Sequence, residues 1–349
     1  MTSRRTILKS IGLIGLAAAG LPRQPLRAQS GLPPHWQGQP FARITGSFQN
    51  LRAEPTTDAE IVGQLNQDAV VRVKRAIPGQ TVFLYNDLWL ETRFGYLYSS
   101  FVQPLWYHLP NLPADSTAIG EGRWAQLTVP YSDAYWDTAE AGLEDPTYAG
   151  RMYYDSVHRV TGVKKGQDGN TWYEGEELYG RYWMRATHLR LIAPEELTPL
   201  SPAVDPGDKR IIVDLPTQTL TCLEGDTPVL QHYVATGRPG KDTPEGIHYV
   251  VDKRPSDRMT NGTAASEEDE ELYDLAAVPY VCYFTWEWVA FHGCFWLNDY
   301  GQRRSAGCVN LPPEVARFFW RWTTPYPPLD EFYYRTGNAL DGTKVIVRA

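Results

Sequence analysis

The sequence predicts a mainly β protein, in which two small β modules precede a larger β domain that carries one short helix. Three observations predict this class. At 349 residues, the chain is long enough for two or three domains. Twelve Trp and 21 Tyr suit β-strands and their packing surfaces. Short alternating stretches, such as Ala69–Lys74 and Thr81–Tyr85, are bounded by turn residues.

The first 28 residues are typical of an export signal. Arg4 and Arg5 precede a short apolar run, Ser10–Leu21, and a small-residue pattern predicts cleavage after Ala28. We therefore expect a twin-arginine signal peptide at 1–28 and an exported protein. The alternative is a retained signal that acts as an N-terminal membrane anchor. Residues 29–40 are rich in Pro, Gly and Gln and are predicted to be a linker.

The charge of the chain argues against one class of partner. Residues 1–28 contain five basic residues and no acidic one, so their removal takes the net charge from −8 to −13. Nucleic-acid binding needs clustered Lys and Arg. We expect no nucleic-acid partner.

Two β modules are predicted between the linker and the C-terminal domain. Residues 41–105 contain short alternating strands and end in Gly95–Val102, and this pattern resembles a bacterial SH3-like domain. Residues 120–195 form a looser second copy, in which Arg181–Leu189 mirrors the end of the first. The resemblance implies two small SH3-like β-barrel modules.

A C-terminal domain is predicted at 208–349, after a second linker at 196–207. It opens with alternating strands at Ile211–Leu215 and Thr219–Glu224 and closes with a strand that ends at Val347. An amphipathic helix is predicted at Pro312–Trp322, because proline is tolerated in the first helical turn.

A cysteine on a glycine turn, with a histidine upstream, is the most informative feature of the chain. His292 precedes Gly293, and the small-residue turn Ser305–Gly307 leads directly into Cys308. The thiolate is the reactive form of cysteine, and a neighbouring imidazole lowers the thiol pKa from about 8.5. We predict Cys308 as a nucleophile and His292 as its general base. The alternatives are a buried structural cysteine and a hydrogen-bonded core histidine.

Two further features would support a nucleophilic thiol. The backbone N–H groups of Gly307 and Cys308 are predicted to form an oxyanion hole. The helix that follows would favour negative charge on the sulfur if its axis points at the thiol.

The spacing of these residues resembles the signature of the YkuD-type L,D-transpeptidases, and the resemblance covers roughly 208–348. The chain has His-Gly, a loop, and then Ser-x-Gly-Cys-Val-Asn. It departs from the usual pattern at Cys294, where Thr is common, and at Leu297 and Ala306, where His is usual.

This resemblance implies a β-sandwich-like catalytic domain that acts on peptidoglycan stem peptides. The Cys308 thiolate would attack the carbonyl of the diamino acid that precedes the terminal D-Ala. D-Ala would leave, and an amine from a second stem would resolve the thioester to give a 3→3 cross-link. No metal or organic cofactor is implied. The protein would work at the cell wall, with which the SH3-like modules would associate.

The same resemblance suggests supporting site residues. Ser305 is expected to bond within its turn or to support His292. Gly293 and Asn310 are predicted to contact or orient the substrate, although Asn310 is equally suited to a helix cap. Tyr280 and Tyr283 are candidates for the acyl pocket, with core packing as the alternative for both.

Two other functions stay open from the sequence. Hydrolysis of the same thioester would make the protein an L,D-carboxypeptidase. The departures at Leu297 and Ala306 also allow a catalytically weak peptidoglycan-binding protein, whose working part is the SH3-like modules.

Of the four cysteines, Cys222 and Cys282 lie in apolar runs, so we expect them to be buried and free. Cys294, His292 and Cys308 form only a weak constellation for zinc, which takes three or four converging ligands.

Overall fold

The computed structural model describes residues 41–105, 111–136, 147–178, 180–260 and 273–349. The predicted signal peptide, 1–28, and the first predicted linker, 29–40, lie outside the described residues. Within the described part of the chain, no helix has both the length and the hydrophobicity needed to cross a membrane. All of the described residues belong to one compact unit.

The first module consists of eight strands and a 3-10 helix at Ser99–Phe101. The strands are β1 (Phe41–Ile44), β2 (Phe48–Arg52), β3 (Ile61–Asn66), β4 (Val70–Arg72), β5 (Arg75–Phe83), β6 (Asn86–Glu91), β7 (Tyr96–Tyr98) and β8 (Val102–Leu105). They form one sheet in the order β4-β1-β8 and another in the order β3-β2-β7-β6-β5. Ile44, Leu90 and Leu97 are fully buried between them.

The second module is one seven-stranded sheet preceded by a single helical turn, α1 (Ser116–Ile119). Its strands are β9 (Arg123–Leu127), β10 (Tyr131–Trp136), β11 (Thr147–Tyr153), β12 (Val157–Lys165), β13 (Thr171–Glu177), β14 (Gly180–Arg185) and β15 (Leu189–Leu191). The strand order is β11-β10-β14-β13-β12-β9-β15. A 3-10 helix at Ala186–His188 connects the last two strands.

The two modules share one order of strand pairing. If the consecutive strands β4 and β5 are treated as one strand, the two sheets of the first module join in the order β3-β2-β7-β6-β5/β4-β1-β8. This order matches the second module strand by strand, with β12 in the position of β5/β4. Each module also ends with a 3-10 helix followed by a short strand. This common order supports the internal repeat that the sequence predicts.

The described strands do not close into barrels, unlike the SH3-like barrels expected from the sequence. A closed barrel requires its two outer strands to pair. Here the outer strands β3 and β11 each pair on one side only, with β2 and β10. The modules are therefore open sheets over their described residues.

The C-terminal domain contains two five-stranded sheets and one longer helix, α2 (Pro313–Trp322). The first sheet has the order β18-β17-β16-β25-β19, and the second has the order β23-β22-β21-β20-β24. The strands are β16 (Lys209–Asp214), β17 (Thr219–Glu224), β18 (Thr227–Tyr233), β19 (Gly246–Tyr249), β20 (Asp252–Thr260), β21 (Asp274–Tyr283), β22 (Ala290–Gly293), β23 (Val309–Leu311), β24 (Tyr334–Arg335) and β25 (Lys344–Arg348). Both opening strands, the closing strand and the helix lie where the sequence predicts them.

Both sheets of this domain contribute to one core with α2. Ile211 from the first sheet and Phe291 from the second are fully buried there. The Phe319 ring on α2 lies 4.4 Å from the Phe291 ring, centroid to centroid. Proline at the start of α2 and apolar residues at helical spacing explain why this segment is helical and which face it buries. The mainly β, two-layered architecture predicted for this domain is confirmed.

The second module shares this core. Trp124, Val157 and Ile192 are buried within the same cluster, and the Trp124 indole N–H donates to the carbonyl of Leu329 at 2.7 Å. Leu197, in the second predicted linker, is also buried in the cluster. The second module and the C-terminal domain are therefore stabilised by common apolar contacts.

Two buried lysines satisfy carbonyl groups at the C-terminal end of α2. Nζ of Lys253 donates to the carbonyls of Trp320 and Thr323 at 2.5 and 2.7 Å. Nζ of Lys209 donates to the carbonyl of Trp322 at 3.0 Å. The last carbonyls of a helix have no partner within the helix, so these side chains take that role.

We expect Lys253→Met to destabilise the fold, because it leaves two buried carbonyls without donors. The free energy of unfolding should fall by about 2–4 kcal/mol in urea denaturation. Lys74→Met is the control, since the Lys74 side chain is 54% exposed and lies 3.4 Å from Glu91; it should change stability by less than about 0.5 kcal/mol. Equal stability of the two variants would contradict the capping role.

Candidate functional site

The turn that leads into Cys308 is held against two neighbouring loops. The backbone N–H of Ser305 donates to the carbonyl of Thr236 at 3.0 Å. The Thr243 hydroxyl donates to the carbonyl of Gly307 at 2.7 Å. Gly307 has a φ of 123°, a conformation that strains residues with a side chain. These contacts fix the point at which β23 begins, and with it the position of Cys308.

Ser305 acts within this turn, which is one of the two roles predicted for it. Its hydroxyl donates to the carbonyl of Cys308 at 2.5 Å and accepts from the backbone N–H of Gly307 at 3.1 Å. The N–H of Gly307 is therefore engaged, although the sequence predicted it as an oxyanion-hole donor. The N–H of Cys308 remains the candidate for that role.

Cys308 lies on the face of its sheet that points away from α2. It is partly exposed and packs in a cluster with Tyr283, Ala290 and Trp296. Alternate residues of a strand point to opposite faces, so the neighbouring Val309 belongs to the main core instead. The Cys308 thiol lies 3.9 Å from the carbonyl oxygen of Trp288, to which it donates.

His292 occupies the strand beside Cys308. β22 and β23 are parallel, and His292 pairs with Asn310, two residues after Cys308. His292 and Cys308 therefore share one face of the sheet. The His292 ring stacks on Trp296 at 5.6 Å.

The tautomer of His292 follows from its hydrogen bond. Nδ1 lies 3.1 Å from the carbonyl oxygen of Gly293. A carbonyl can only accept, so Nδ1 carries the proton and Nε2 keeps a lone pair. His292 thus has the tautomer that a base requires. No hydrogen bond joins it to Cys308 among the contacts of these two described residues.

The environment keeps both groups neutral in the resting protein. Burial raises the pKa of the Cys308 thiol to about 11, and the N–H of Ala290 opposes this shift. Burial lowers the pKa of His292 to about 4, against the effect of its bond to Gly293. The sequence predicted a thiol with a lowered pKa; the structure shows a protonated thiol beside a neutral imidazole, because burial disfavours the charged form of each.

A buried network lies next to the thiol on the same face. The Tyr283 hydroxyl donates to Asp257 at 2.7 Å, and burial raises the pKa of this phenol so that it keeps its proton. Arg254 bridges Asp257 and Asp252 with contacts of 3.0 Å to each, and Arg335 bonds Asp252 at 2.9 Å. No sequence motif predicts this network, because its members come from three separate strands, β20, β21 and β24.

Trp288 contacts both the thiol and the buried network: its carbonyl lies near the sulfur of Cys308, and its indole lies near Arg254 and Arg335. Its φ is 68°, an unusual conformation for a bulky residue, and strained residues cluster at functional sites. The side chain is 53% exposed. The guanidinium groups of Arg254 and Arg335 lie 5.3 and 5.0 Å from the indole. An exposed aromatic surface with cations over it therefore borders Cys308.

The structure separates the two predicted tyrosines. Tyr283 lies beside Cys308. Tyr280 is only 2% exposed and belongs to the main core, with its ring 6.4 Å from Trp320. The alternation of β21 places the two on opposite faces, so Tyr280 is not part of the acyl pocket.

The predicted substrate residues Gly293 and Asn310 are both buried. A Cβ at Gly293 would lie 2.7 Å from Cγ of Pro279 and 3.1 Å from Cα of Pro313, so close packing explains this glycine. Asn310 forms backbone hydrogen bonds with Ala235 and lies within β23, which excludes the helix-cap alternative. Its side-chain Oδ1 is buried without a hydrogen-bond partner. Gly293 is a packing position, and the Asn310 side chain is buried on the sheet face that carries His292 and Cys308.

All four cysteines are free. Cys222, Cys282 and Cys294 are at most 2% exposed, as expected for the first two. Burial raises the pKa of all three thiols. No group of three or more His, Cys, Asp or Glu side chains among the described residues could hold a metal ion.

Comparison with known proteins identifies the C-terminal domain. Residues 208–347 match the family model of the YkuD L,D-transpeptidase catalytic domain, and this part of the chain is such a domain. No curated protein matches the chain.

Several solved L,D-transpeptidases are similar to parts of the chain. An Enterococcus faecium L,D-transpeptidase, solved as a cysteine-to-serine mutant, is 24% identical over 42% of this chain and 51% of its own, with a TM-score of 0.31. An enzyme from Mycobacterium smegmatis is 17% identical over 71% of this chain and 89% of its own, with a TM-score of 0.33. L,D-transpeptidase 3 from Mycobacterium tuberculosis is 17% identical over 56% and 92%, with a TM-score of 0.32. The chain spans about half the length of the first two solved structures that it matches, 49% and 51%.

We expect the resting thiol of Cys308 to be unreactive at neutral pH. Its pKa is about 11, so the rate of alkylation by iodoacetamide should rise about tenfold per pH unit between pH 7 and 10. Intact-mass spectrometry measures this rate, and Cys308→Ala identifies the modified residue. A rate that is already constant above pH 8 would show instead a preformed thiolate.

Proposed function

We propose that this protein is an exported cysteine L,D-transpeptidase that acts on peptidoglycan stem peptides through a thioester at Cys308. The observation that carries this proposal is the partly exposed Cys308 thiol, which shares a sheet face with the neutral imidazole of His292 in a YkuD-type domain. The buried thiols of Cys222, Cys282 and Cys294 are not accessible to a peptide.

A neutral thiol and a neutral imidazole favour general-base chemistry. In the proposed acylation, Nε2 of His292 takes the thiol proton while the sulfur attacks the carbonyl carbon of the diamino acid. The oxyanion accepts a hydrogen bond from the backbone N–H of Cys308. The bond to D-Ala then breaks, and the imidazolium returns the proton to the leaving amine. The product is a thioester on Cys308.

Resolution of the thioester reverses these proton transfers. The amine of a second stem attacks the carbonyl, and His292 accepts a proton from that amine. The C–S bond breaks, the sulfur regains a proton, and a 3→3 cross-link forms. Attack by water in place of the amine would give L,D-carboxypeptidase activity from the same intermediate. The exposed aromatic surface at Trp288 favours the transpeptidase, because it offers a second peptide a contact beside the thiol.

A purified tetrapeptide stem should distinguish these outcomes. With an acceptor stem present, mass spectrometry should detect release of D-Ala and a cross-linked dimer, while a tripeptide product alone would indicate the carboxypeptidase. A carbapenem should add to the wild-type protein. Both reactions should be lost in Cys308→Ala, since no other thiol is accessible, and retained in Cys294→Ala, which is the matched control. Binding of peptidoglycan without release of D-Ala would favour the catalytically weak binding protein.

Export and association with the cell wall are part of the same proposal. Arg4 and Arg5 precede a short apolar run, and the two β modules would contribute contacts with the wall. We expect Arg4→Lys with Arg5→Lys to leave the protein in the cytoplasm, because the twin-arginine route requires both arginines. Cell fractionation measures this. Normal export of the double variant would point to another secretion route.

A further inference from the structure

The chain between His292 and Cys308 lies against the first module. The backbone N–H of Asn298 donates to the carbonyl of Ser100 at 3.1 Å, and the Ser100 hydroxyl donates to Asp299 at 2.9 Å. Ser100 is fully buried. We call residues 294–304 the connecting loop. Its contacts with the first module thus include hydrogen bonds that are buried from water.

Asp299 is the most buried charge of the connecting loop. It is 1% exposed, and burial raises its pKa against the opposing effects of Arg304 and Ser100. Nε of Arg304 donates to Asp299 at 2.6 Å. The same guanidinium lies 4.6 Å from the ring centre of Phe83, in the first module. A buried carboxylate that loses its hydrogen-bond partners destabilises the fold. Asp299 therefore favours the arrangement in which the first module stays docked and Ser100 keeps its bond to the carboxylate.

Arg304 carries this contact into the turn of the nucleophile. Its backbone N–H donates to the carbonyl of Thr236 at 2.8 Å, and the next residue, Ser305, donates to the same carbonyl. Ser305 in turn bonds the carbonyl of Cys308. Two residues of the loop, Asp299 and Arg304, therefore link the first module to the position of the thiol.

The other end of the connecting loop leads to His292. Arg43, in the first module, is 2% exposed, and its Nη2 donates to the carbonyl of Phe295 at 3.0 Å. The Phe295 ring contacts Trp296 at 5.0 Å, and Trp296 stacks on His292. Trp296 also packs in the cluster that contains Cys308. Both groups of the proposed reaction are thus reached from the first module.

We propose that the first module is a positioning element of the thiol site: its residues Arg43 and Ser100 hold the connecting loop, and Ser100 does so through Asp299 of that loop. None of these residues touches substrate or the reacting atoms. Docked, the loop keeps Trp296 over the site and the His292–Cys308 pair in one arrangement. Released, it uncovers the sulfur and misaligns the imidazole. The module is then required for chemistry and is more than an attachment for the wall.

Asp299→Asn tests this proposal in the full chain, because it removes the charge and keeps the shape of the side chain. With Trp296 less firmly held, the sulfur gains contact with water and the pKa of Cys308 falls toward its usual value. We expect alkylation by iodoacetamide at pH 8 to be about tenfold faster, which corresponds to one pKa unit. Ser100→Ala removes one hydrogen bond from the same carboxylate and should give a smaller change in the same direction.

The buried thiols distinguish release of the loop from unfolding. Cys222 and Cys282 lie outside the connecting loop and are closed to reagent in the folded protein, whereas Cys294 is the first residue of that loop. A released loop should therefore leave Cys222 and Cys282 unmodified, and unfolding should expose both; peptide mapping gives the rate at Cys308 itself. Glu91→Gln is the matched control. It makes the same change from carboxylate to amide in the first module, where Glu91 pairs with Arg75 at 2.6 Å, and it should leave the alkylation rate unchanged.

The alkylation rate of Cys308 can be measured whether or not the protein turns over a peptide. A negative alkylation result therefore contradicts the positioning role without bearing on the proposed transpeptidase function. The proposal is overturned if Asp299→Asn and Ser100→Ala alkylate at the wild-type rate across pH 7–10, or if Glu91→Gln accelerates the reaction equally. If Cys222 and Cys282 react in Asp299→Asn, the rate of Ser100→Ala at a temperature where neither of them reacts is decisive. Where the transpeptidase assay is active, Asp299→Asn should also reduce acylation about tenfold at unchanged KM, because misalignment affects the transition state.

Discussion

The parallel pairing of β22 and β23 is the constraint on which the site depends. It places His292 and Cys308 on one face of adjacent strands. A parallel pair cannot be joined by a tight turn and needs a crossover of about a dozen residues or more. The chain must therefore leave the sheet after Gly293 and return before Val309. A crossover of that length needs partners for its backbone. The first module bonds the N–H of Asn298 and the carbonyl of Phe295, and the C-terminal domain bonds the N–H groups of Gly301 and Arg304.

This constraint accounts for the unusual burial of charge around the connecting loop. Arg43 and Asp299 are almost inaccessible to water. Arg43 bonds Asp68 and Gln103 within its own module as well as the loop carbonyl, and its guanidinium lies 4.1 Å from the ring of Tyr153 in the second module. Each charge is paired, so the desolvation cost is offset only when all the parts are assembled. The need to pair both buried charges therefore favours one specific arrangement of the connecting loop on the first module.

Burial also decides the chemistry of the resting site. The same enclosure that orders His292 and Cys308 makes each of them neutral. Reaction through a neutral pair requires the proton to move as the sulfur attacks, which makes alignment more important than the resting thiolate population. A contact that controls alignment from another module is consistent with this type of site.

The sequence predicts local features of this protein well. The alternating strands β16 and β17, the helix α2 and the order of His292, Ser305 and Cys308 follow from periodicity and motif. The sequence leaves the acyl pocket and the core open for Tyr280; the structure places it in the core, because side-chain direction depends on the register of β21, which the sequence does not display. The Gly307 N–H is bonded by Ser305, only two residues away, and Ser side chains commonly form such local bonds to the backbone. The network at Tyr283 depends instead on contacts between separate strands, so no local pattern encodes it.

Ala306 limits the hydrogen-bond donors that the turn before Cys308 can offer. It is exposed and stands where the usual family motif carries a second histidine, so the turn has no side-chain donor at this position. The Gly307 N–H is bonded to Ser305. In the proposed acylation, stabilisation of the oxyanion would therefore fall mainly on the N–H of Cys308. One missing hydrogen bond is worth about 1–3 kcal/mol, or roughly one to two powers of ten in rate. The proposed acyl transfer should accordingly be slow, with a rate that depends on how firmly His292 is held.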